Sequence, residues 1–400
     1  MIKTTRPKIL YITFRVLYPP NYGYQIRAFN LGRILASKYK VDLLAISEEK
    51  IDEKSIQDLN KIFNKVIIFY KKPYQFLLNA FLGIFKEEPL QVSYYYFRDI
   101  QDWINSHYKE YDLIFCLTIR TTKYLQNIDI KKTVDLIDAI SLNYQTAAKI
   151  RKNFFWKFIY SFENKRLLPY EQKALQDFDL GFITSNFDKK FITRERPELE
   201  NKLLVIPNGV KPYYLRENNE KIKEKDWILF LGKMDYPPNE DAVIYFSREI
   251  FPALRKKIKN IGFLIVGGNL TKRVLRLKNI SGVRLTGFVK DPSFYLRKAK
   301  IIVIPLRFCA GIQNKILEAM ALGKAVITSP IAARGIEGKE GVHFLIAKDR
   351  EDFIEKILEL FSNSEKRKFI GKNAKELIKK KYTWQRIEED LFSNISKIIF

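Results

Sequence analysis

Short apolar runs rich in β-branched residues recur along this chain, each followed by a longer amphipathic segment, and the whole pattern occurs twice. The first series reads KILYIT (8–13), VDLLAI (41–46), KVIIFY (65–70), DLIFCL (112–117), TVDLID (133–138) and DLGFIT (179–184). Continuous apolar strands separated by helices belong to parallel sheets covered on both faces. After the turn VIPNGVKP (205–212) and a charged, irregular stretch to Asp226 the pattern restarts. The second series reads WILFLG (227–232), GFLIVGG (262–268), VRLTGF (283–288), IIVIPL (301–306) and KAVITS (324–329). Between its first two strands the spacing predicts a helix from about Glu240 to Lys257, with Val243, Ile244, Phe246, Ile250 and Leu254 on its apolar face. Two successive α/β domains are therefore expected, over 1–205 and 206–382. An amphipathic helix over 383–400 is expected to pack back toward the first domain. A length of 400 residues agrees with two domains rather than one core.

The chain is strongly basic, with 71 Lys and Arg against 45 Asp and Glu, a formal charge of +26. An anionic partner is implied: nucleic acid, anionic lipid or a phosphorylated small molecule. Residues 251–300 alone hold thirteen basic residues and one acid, which fits either a solvated basic face or an anion-facing surface. Two cysteines, Cys116 and Cys309, and two histidines exclude a disulfide scaffold, a zinc finger and most histidine-based metal sites, and they suit a reducing cytoplasm. The N-terminal stretch has its apolar run broken by Arg15 and lacks a small-residue cleavage site, so it is not read as a signal peptide. The longest apolar candidate, FLLNAFLGIF (76–85), is too short to span a bilayer as a helix. Its wider frame, KKPYQFLLNAFLGIFK (71–86), is basic at both ends with Phe and Leu between, and FFWKFIY (154–160) is similar in character. Such segments bind anionic membrane surfaces, or they are core or acceptor-lobe helices.

The stretch PLRFCAGIQNKILEAMALGKAVITSP (305–330) carries the most chemistry. It reads as a strand, a loop with Arg307 and Gly311, a helix beginning near Ile312, and a further strand after Gly323. Free N–H groups and the positive dipole end at a helix start make an anion site. Arg307 and Lys315 add positive charge there. Glu318, three residues after Lys315 and on roughly the same face, can accept two hydroxyl hydrogen bonds, as from a ribose. The alternative is an Arg/Lys/Glu surface cluster on an ordinary helix.

With GIQNKILEAMALG (311–323), YPPNYGYQIR (18–27) and MDYPPNEDAV (234–243), the sequence resembles the family-4 glycosyltransferases, in particular a bacterial subgroup of exopolysaccharide-associated sugar transferases. PNGV (207–210), IVGG (265–268) and LTGFVKD (285–291) fall between them in family order, so the resemblance runs from about residue 8 to the end. It implies the GT-B fold, two Rossmann-like doubly wound parallel-sheet domains facing across a cleft. It implies that Glu318 binds the ribose of a nucleotide diphosphate sugar, and that Gly311, Ile312, Gln313, Asn314 and Lys315 face the sugar and its diphosphate. Lys233 stands where many relatives carry a phosphate-binding Arg. Gly23 would approach the diphosphate, or is a simple turn glycine. Phe288 and Val289 would line the base pocket, or form strand-end core. Arg27 is the acceptor-side candidate, with a surface Arg as the other reading.

Three departures from the family pattern stand out. Ala310 replaces the first Glu of Glu-x7-Glu, Asn239 replaces a second basic residue, and Leu117 and Thr118 stand where relatives have a His. His107 and His343 read as structural. Asp177-Phe178-Asp179 has a metal-binding form, but it sits at a helix-to-strand junction, so no metal is assigned.

The reaction implied by the resemblance is retaining transfer of a sugar to a hydroxyl of a glycan or lipid-linked acceptor. Front-face attack would pass the acceptor's proton to the leaving phosphate, stabilised by the catalytic candidates Lys315, Lys233 and Arg307. Neither a metal nor a cofactor beyond the nucleotide sugar substrate is required. The expected setting is cytoplasmic, peripheral on the inner face of the cell membrane. A nucleotide-sugar epimerase of the same fold is the alternative enzyme. A basic nucleic-acid binder is the alternative from another class, but no nucleic-acid module is present and no such partner is expected.

Overall fold

The computed structural model describes residues 6–150, 154–216, 222–309 and 311–400, and the side chains at 149–158 lie outside that description. The departure at Ala310 and most of the aromatic segment 154–160 therefore fall outside it. The chain divides into two compact units, one formed by residues up to Pro207 together with Ile387–Phe400, the other by Asn208–Arg386.

The first unit is built on a seven-stranded sheet, β1 (Lys8–Thr13), β2 (Lys40–Ser47), β3 (Lys65–Tyr70), β4 (Leu113–Leu117), β5 (Lys132–Ile137), β6 (Leu180–Ile183) and β7 (Leu203–Val205). The order is β3-β2-β1-β4-β5-β6-β7. Every neighbouring pair is parallel. The central strands are apolar on both faces because helices cover both: β4 is buried at every position, and Ile9 to Ile12 of β1 are wholly buried. The helix Trp384–Ile399 supplies its later residues to this unit. Phe392 meets the Tyr39 ring edge-on at 5.9 Å, and Lys38 Nζ donates to Ser396 Oγ at 3.1 Å.

The second unit repeats the plan with six strands, β8 (Lys225–Leu231), β9 (Gly262–Val266), β10 (Val283–Leu285), β11 (Ala299–Ile304), β12 (Ala325–Thr328) and β13 (Leu345–Ile346). Their order is β10-β9-β8-β11-β12-β13. Again every pair is parallel. The expected helix after β8 forms in three pieces, Pro237–Tyr245, a π-turn over Phe246–Ile250, and Phe251–Lys257. Val243, Phe246, Ile250 and Leu254 are all wholly buried, so the apolar face is the expected one. The π-turn inserts an extra residue per turn where Pro252 removes an amide donor from the ladder.

Beyond the C-terminal ends of β8 and β9 the backbones touch. A Cβ on Gly267 would lie 1.8 Å from the Gly232 carbonyl oxygen, and the φ of Gly267 is +142°. Only glycine fits there, and that fit places Lys233 and Met234 at the strand end. Met234 N donates to Gly268 O at 3.0 Å.

Candidate active site

The site grows from the loop that follows β11. Ser329 Oγ donates to Leu306 O at 2.5 Å and fastens the end of that strand. The chain then turns through Gly311, whose φ of 52° is left-handed. Gly335 lets the loop settle, since a Cβ at that position would come within 2.9 Å of Ile312 Cα. Ile312 and Gln313 stay buried and non-helical, and the helix opens at Asn314 with Gln313 as N-cap, two residues later than the sequence pattern predicts. A left-handed glycine followed by an extended Gln313 cannot join the first helical turn, which explains the shift. The helix, Asn314–Ala321, carries no acid in its first turn. Its leading N–H groups and dipole therefore favour an anion. Asn208 Nδ2 donates to Asn314 Oδ1 at 2.9 Å and fixes that side chain.

Lys315 is the second residue of this helix. Its ammonium donates to Asn239 Oδ1 and lies 4.9 Å from the centroid of the Phe230 ring. Burial pulls its pKa down to about 8, against the opposing pull of Cys309 and Glu318. Asn239 is itself buried, and its Nδ2 donates to Lys233 O at 2.8 Å. Gly232 makes room for it, because a Cβ there would lie 2.6 Å from Asn239 Nδ2. The residue that departs from the family's basic pattern thus joins Lys315 to the strand end that carries Lys233. The motif spacing marked Asn239 only as a loss of charge; its role as a bridge depends on proximity in space.

Glu318 sits one turn further along the same face. Burial raises its pKa to about 7, opposed by Lys211, by a hydrogen bond from the Tyr214 hydroxyl, and by Lys315. Tyr214 is buried and stacks on Tyr213 with ring centroids 4.2 Å apart. Tyr213, Tyr214 and Lys211 escaped the sequence reading because they follow PNGV at a turn, without a periodic pattern to mark them.

Arg307 is engaged elsewhere. Its Nε donates to Asp241 Oδ2 at 2.8 Å, its Nη2 donates to the other carboxylate oxygen, and its guanidinium lies 5.1 Å from the Tyr245 ring. It enters the site with its charge already matched, unlike Lys315. Phe288 is 85% exposed, whereas Val289 packs against the core.

In the first unit, Gly23 opens the helix Gly23–Lys38, and Gln25 Oε1 accepts from Asn21 N and Tyr22 N at 3.1 Å to cap it. Arg27 is a correction: it is wholly buried. Its Nε and Nη2 donate to the two Asp135 carboxylate oxygens at 2.7 and 2.8 Å, and Nη1 donates to Ile206 O at 2.8 Å. A guanidinium pairing in the fork geometry of Arg and carboxylate inside a core ties β5 to the segment after β7 and offers nothing to a ligand. His107 stacks on Trp103 at 4.3 Å, and His343 Nδ1 accepts from Lys339 N at 2.8 Å. Asp179 accepts from the Lys132 amide at 2.8 Å, a strand-end contact.

Residues 225–363, which contain Lys233, Asn239, Lys315 and Glu318, match the family model described as glycosyl transferases group 1. Across 398 residues the chain is 25% identical to an uncharacterized 44.6 kDa protein of the cps region of Klebsiella pneumoniae, covering 96% of this chain and 99% of that one. It is 29% identical over 219 residues to an uncharacterized glycosyltransferase of Methanocaldococcus jannaschii, over 51% of this chain and 58% of the relative. Among solved structures it resembles HepE of Anabaena in complex with UDP. The TM-score is 0.70 at 15% identity, over 98% of this chain and all of the other. The fold of the chain is GT-B.

Proposed function

We propose that the chain moves a sugar from a nucleotide diphosphate sugar to a hydroxyl of a glycan or lipid-linked acceptor, with retention of anomeric configuration and without a metal, in cytoplasmic assembly of a surface polysaccharide. The observation that carries this reading is the pairing of Lys315 with Glu318. One is a desolvated cation at a helix start, the other a desolvated carboxyl one turn on. A diphosphate suits the first and ribose hydroxyls the second. The UDP held by HepE, at the same fold, puts UDP-sugars first among candidates, and the full-length relative in a cps region supports the polysaccharide role.

On this reading Gly311 to Asn314 lie along the sugar and diphosphate, and Phe288 stacks on the base. Lys315 and the helix N–H groups hold the leaving phosphate as its charge grows, with Lys233 adding to the field. The phosphate, so held, takes the acceptor's proton. Titration calorimetry against UDP-, GDP-, ADP- and TDP-sugars tests the donor class, and NMR of the product anomer tests retention. Binding of none of the four removes the reading. Activity should survive EDTA; loss restored by manganese or magnesium would show a metal at work.

A further inference from the structure

A surface helix ordinarily turns its apolar stripe inward. The helix Pro73–Gly83 does the reverse. Tyr74, Leu77, Leu78, Phe81, Leu82 and, just past its end, Phe85 are between 50% and 79% exposed. Their spacing of three and four residues draws one continuous outward stripe. The inward side is firmly seated. Phe76 is wholly buried and packs on Tyr94 and Phe97, each with ring centroids 4.9 Å away. Asn79 Nδ2 donates to Tyr96 O at 2.8 Å, and a Cβ on Gly83 would meet Ser93 at 2.6 Å. The outward face is therefore a fixed orientation. An exposed apolar patch of this kind marks an interaction surface.

We propose that this stripe docks on an anionic lipid bilayer, lying flat with Leu77, Phe81 and Phe85 in the boundary between headgroups and acyl chains. The eleven residues of the helix include no charge, so the stripe itself offers no ion pair to a protein partner. Exposed Lys72 stands at its start; past its end half-exposed Lys86 pairs with Glu88 at 3.8 Å, next to exposed Glu87. Arg166 Nη2 donates to Ile84 O at 3.1 Å, so a guanidinium stands at the same end. Apolar side chains between cations match an anionic interface. The formal charge of +26 favours that surface and opposes a second copy of the same chain. This proposal goes beyond the transfer chemistry and does not rest on it.

Co-sedimentation of the full chain with vesicles of phosphatidylcholine alone, and of phosphatidylcholine with phosphatidylglycerol, tests it. Binding is expected to the mixed vesicles only, weakening as salt rises. Leu77→Glu/Phe81→Glu should lower vesicle partitioning about tenfold or more, and Leu77→Gln/Phe81→Gln should lower it without adding charge. Both variants should keep their circular dichroism and their UDP affinity. No binding to mixed vesicles at low salt overturns the proposal, and so does partitioning of both variants equal to the parent's. A lipid-free dimer that the substitutions dissociate would assign the face to a second copy instead.

Discussion

Arg27, wholly buried, and Lys315, half-buried, are both cations on a helix that follows a strand, and the two units treat them differently. Arg27 meets the Asp135 carboxylate through two hydrogen bonds and two backbone carbonyls besides. Lys315 has a neutral amide oxygen and the face of an aromatic ring, with its nearest carboxyl, Glu318, acting only through space. A buried charge already matched contributes architecture. A half-buried charge left with a neutral partner pays for its desolvation until an anion arrives, which is where an anion gains most.

The comparison breaks most readily at Arg27. Arg27→Ala leaves Asp135 charged and unpaired in the core, so unfolding in urea should show a loss of about 3–5 kcal/mol. The fraction that remains folded should bind donor as the parent does. A stable variant with lost transfer would return Arg27 to the acceptor side.

Lys315→Ala is expected to leave the fold intact and lower turnover by about 10²–10³-fold, comparable to removal of one oxyanion donor. The donor Michaelis constant should rise much less, because phosphate charge grows as the bond breaks. Lys315→Arg should recover little, since a planar fork does not replace a compact charge reaching Asn239. A change confined to the Michaelis constant would make Lys315 a uniform binder and pass the leaving-group role to Lys233 or Arg307.

These two residues also show what was legible in sequence. The twofold series of apolar runs located ten strands within about two residues, and the start of β10, which ends three residues before its run does, because a strand buried on both faces leaves an unbroken apolar signal. The short outer strands β7 and β13, of three and two residues, leave no such signal and were missed. Lys315 and Glu318 were visible because three residues on one helix fix their relation. Arg27 was misjudged because its partner lies 108 residues away. Asn239 and Lys315 are 76 residues apart, and the contact between them is equally invisible to spacing.

A smaller effect is expected at Glu318. If its carboxyl accepts ribose hydroxyls, Glu318→Ala should weaken donor binding by about 1.5–3 kcal/mol, the size of hydrogen bonds to a charged group. The substitution also removes a desolvated carboxyl, so stability should hold or rise. Calorimetric donor affinity equal to the parent's in a folded variant would remove Glu318 from the site and leave Lys315 to act alone.

The pH profile sharpens the contrast at the lowest cost to the protein. Glu318 is held up to about 7 by burial, so its carboxyl is neutral below that pH and becomes an acceptor of two hydroxyls above it. Lys315 is pulled down to about 8, so its ammonium is present below that pH and lost above it. If the donor meets both groups, its capture by the free enzyme needs both charges, which confines it to a window between about 7 and 8. Because the two groups interact, the limbs report apparent values of the pair. kcat/KM should fall about tenfold per pH unit outside the window on either side. The limbs separate by substitution. Glu318→Gln should flatten the acid limb, and Lys315→Arg, at whatever residual rate it retains, should flatten the alkaline one. Saturating donor should move the alkaline limb of kcat upward, because a bound diphosphate supplies the anion that Lys315 lacks and holds its proton. Arg27→Lys, with the charge kept beside Asp135, should leave both limbs where they are. A profile flat from pH 6 to 9 would mean that neither buried charge meets the donor, and the difference drawn between the two units would then carry no consequence for catalysis.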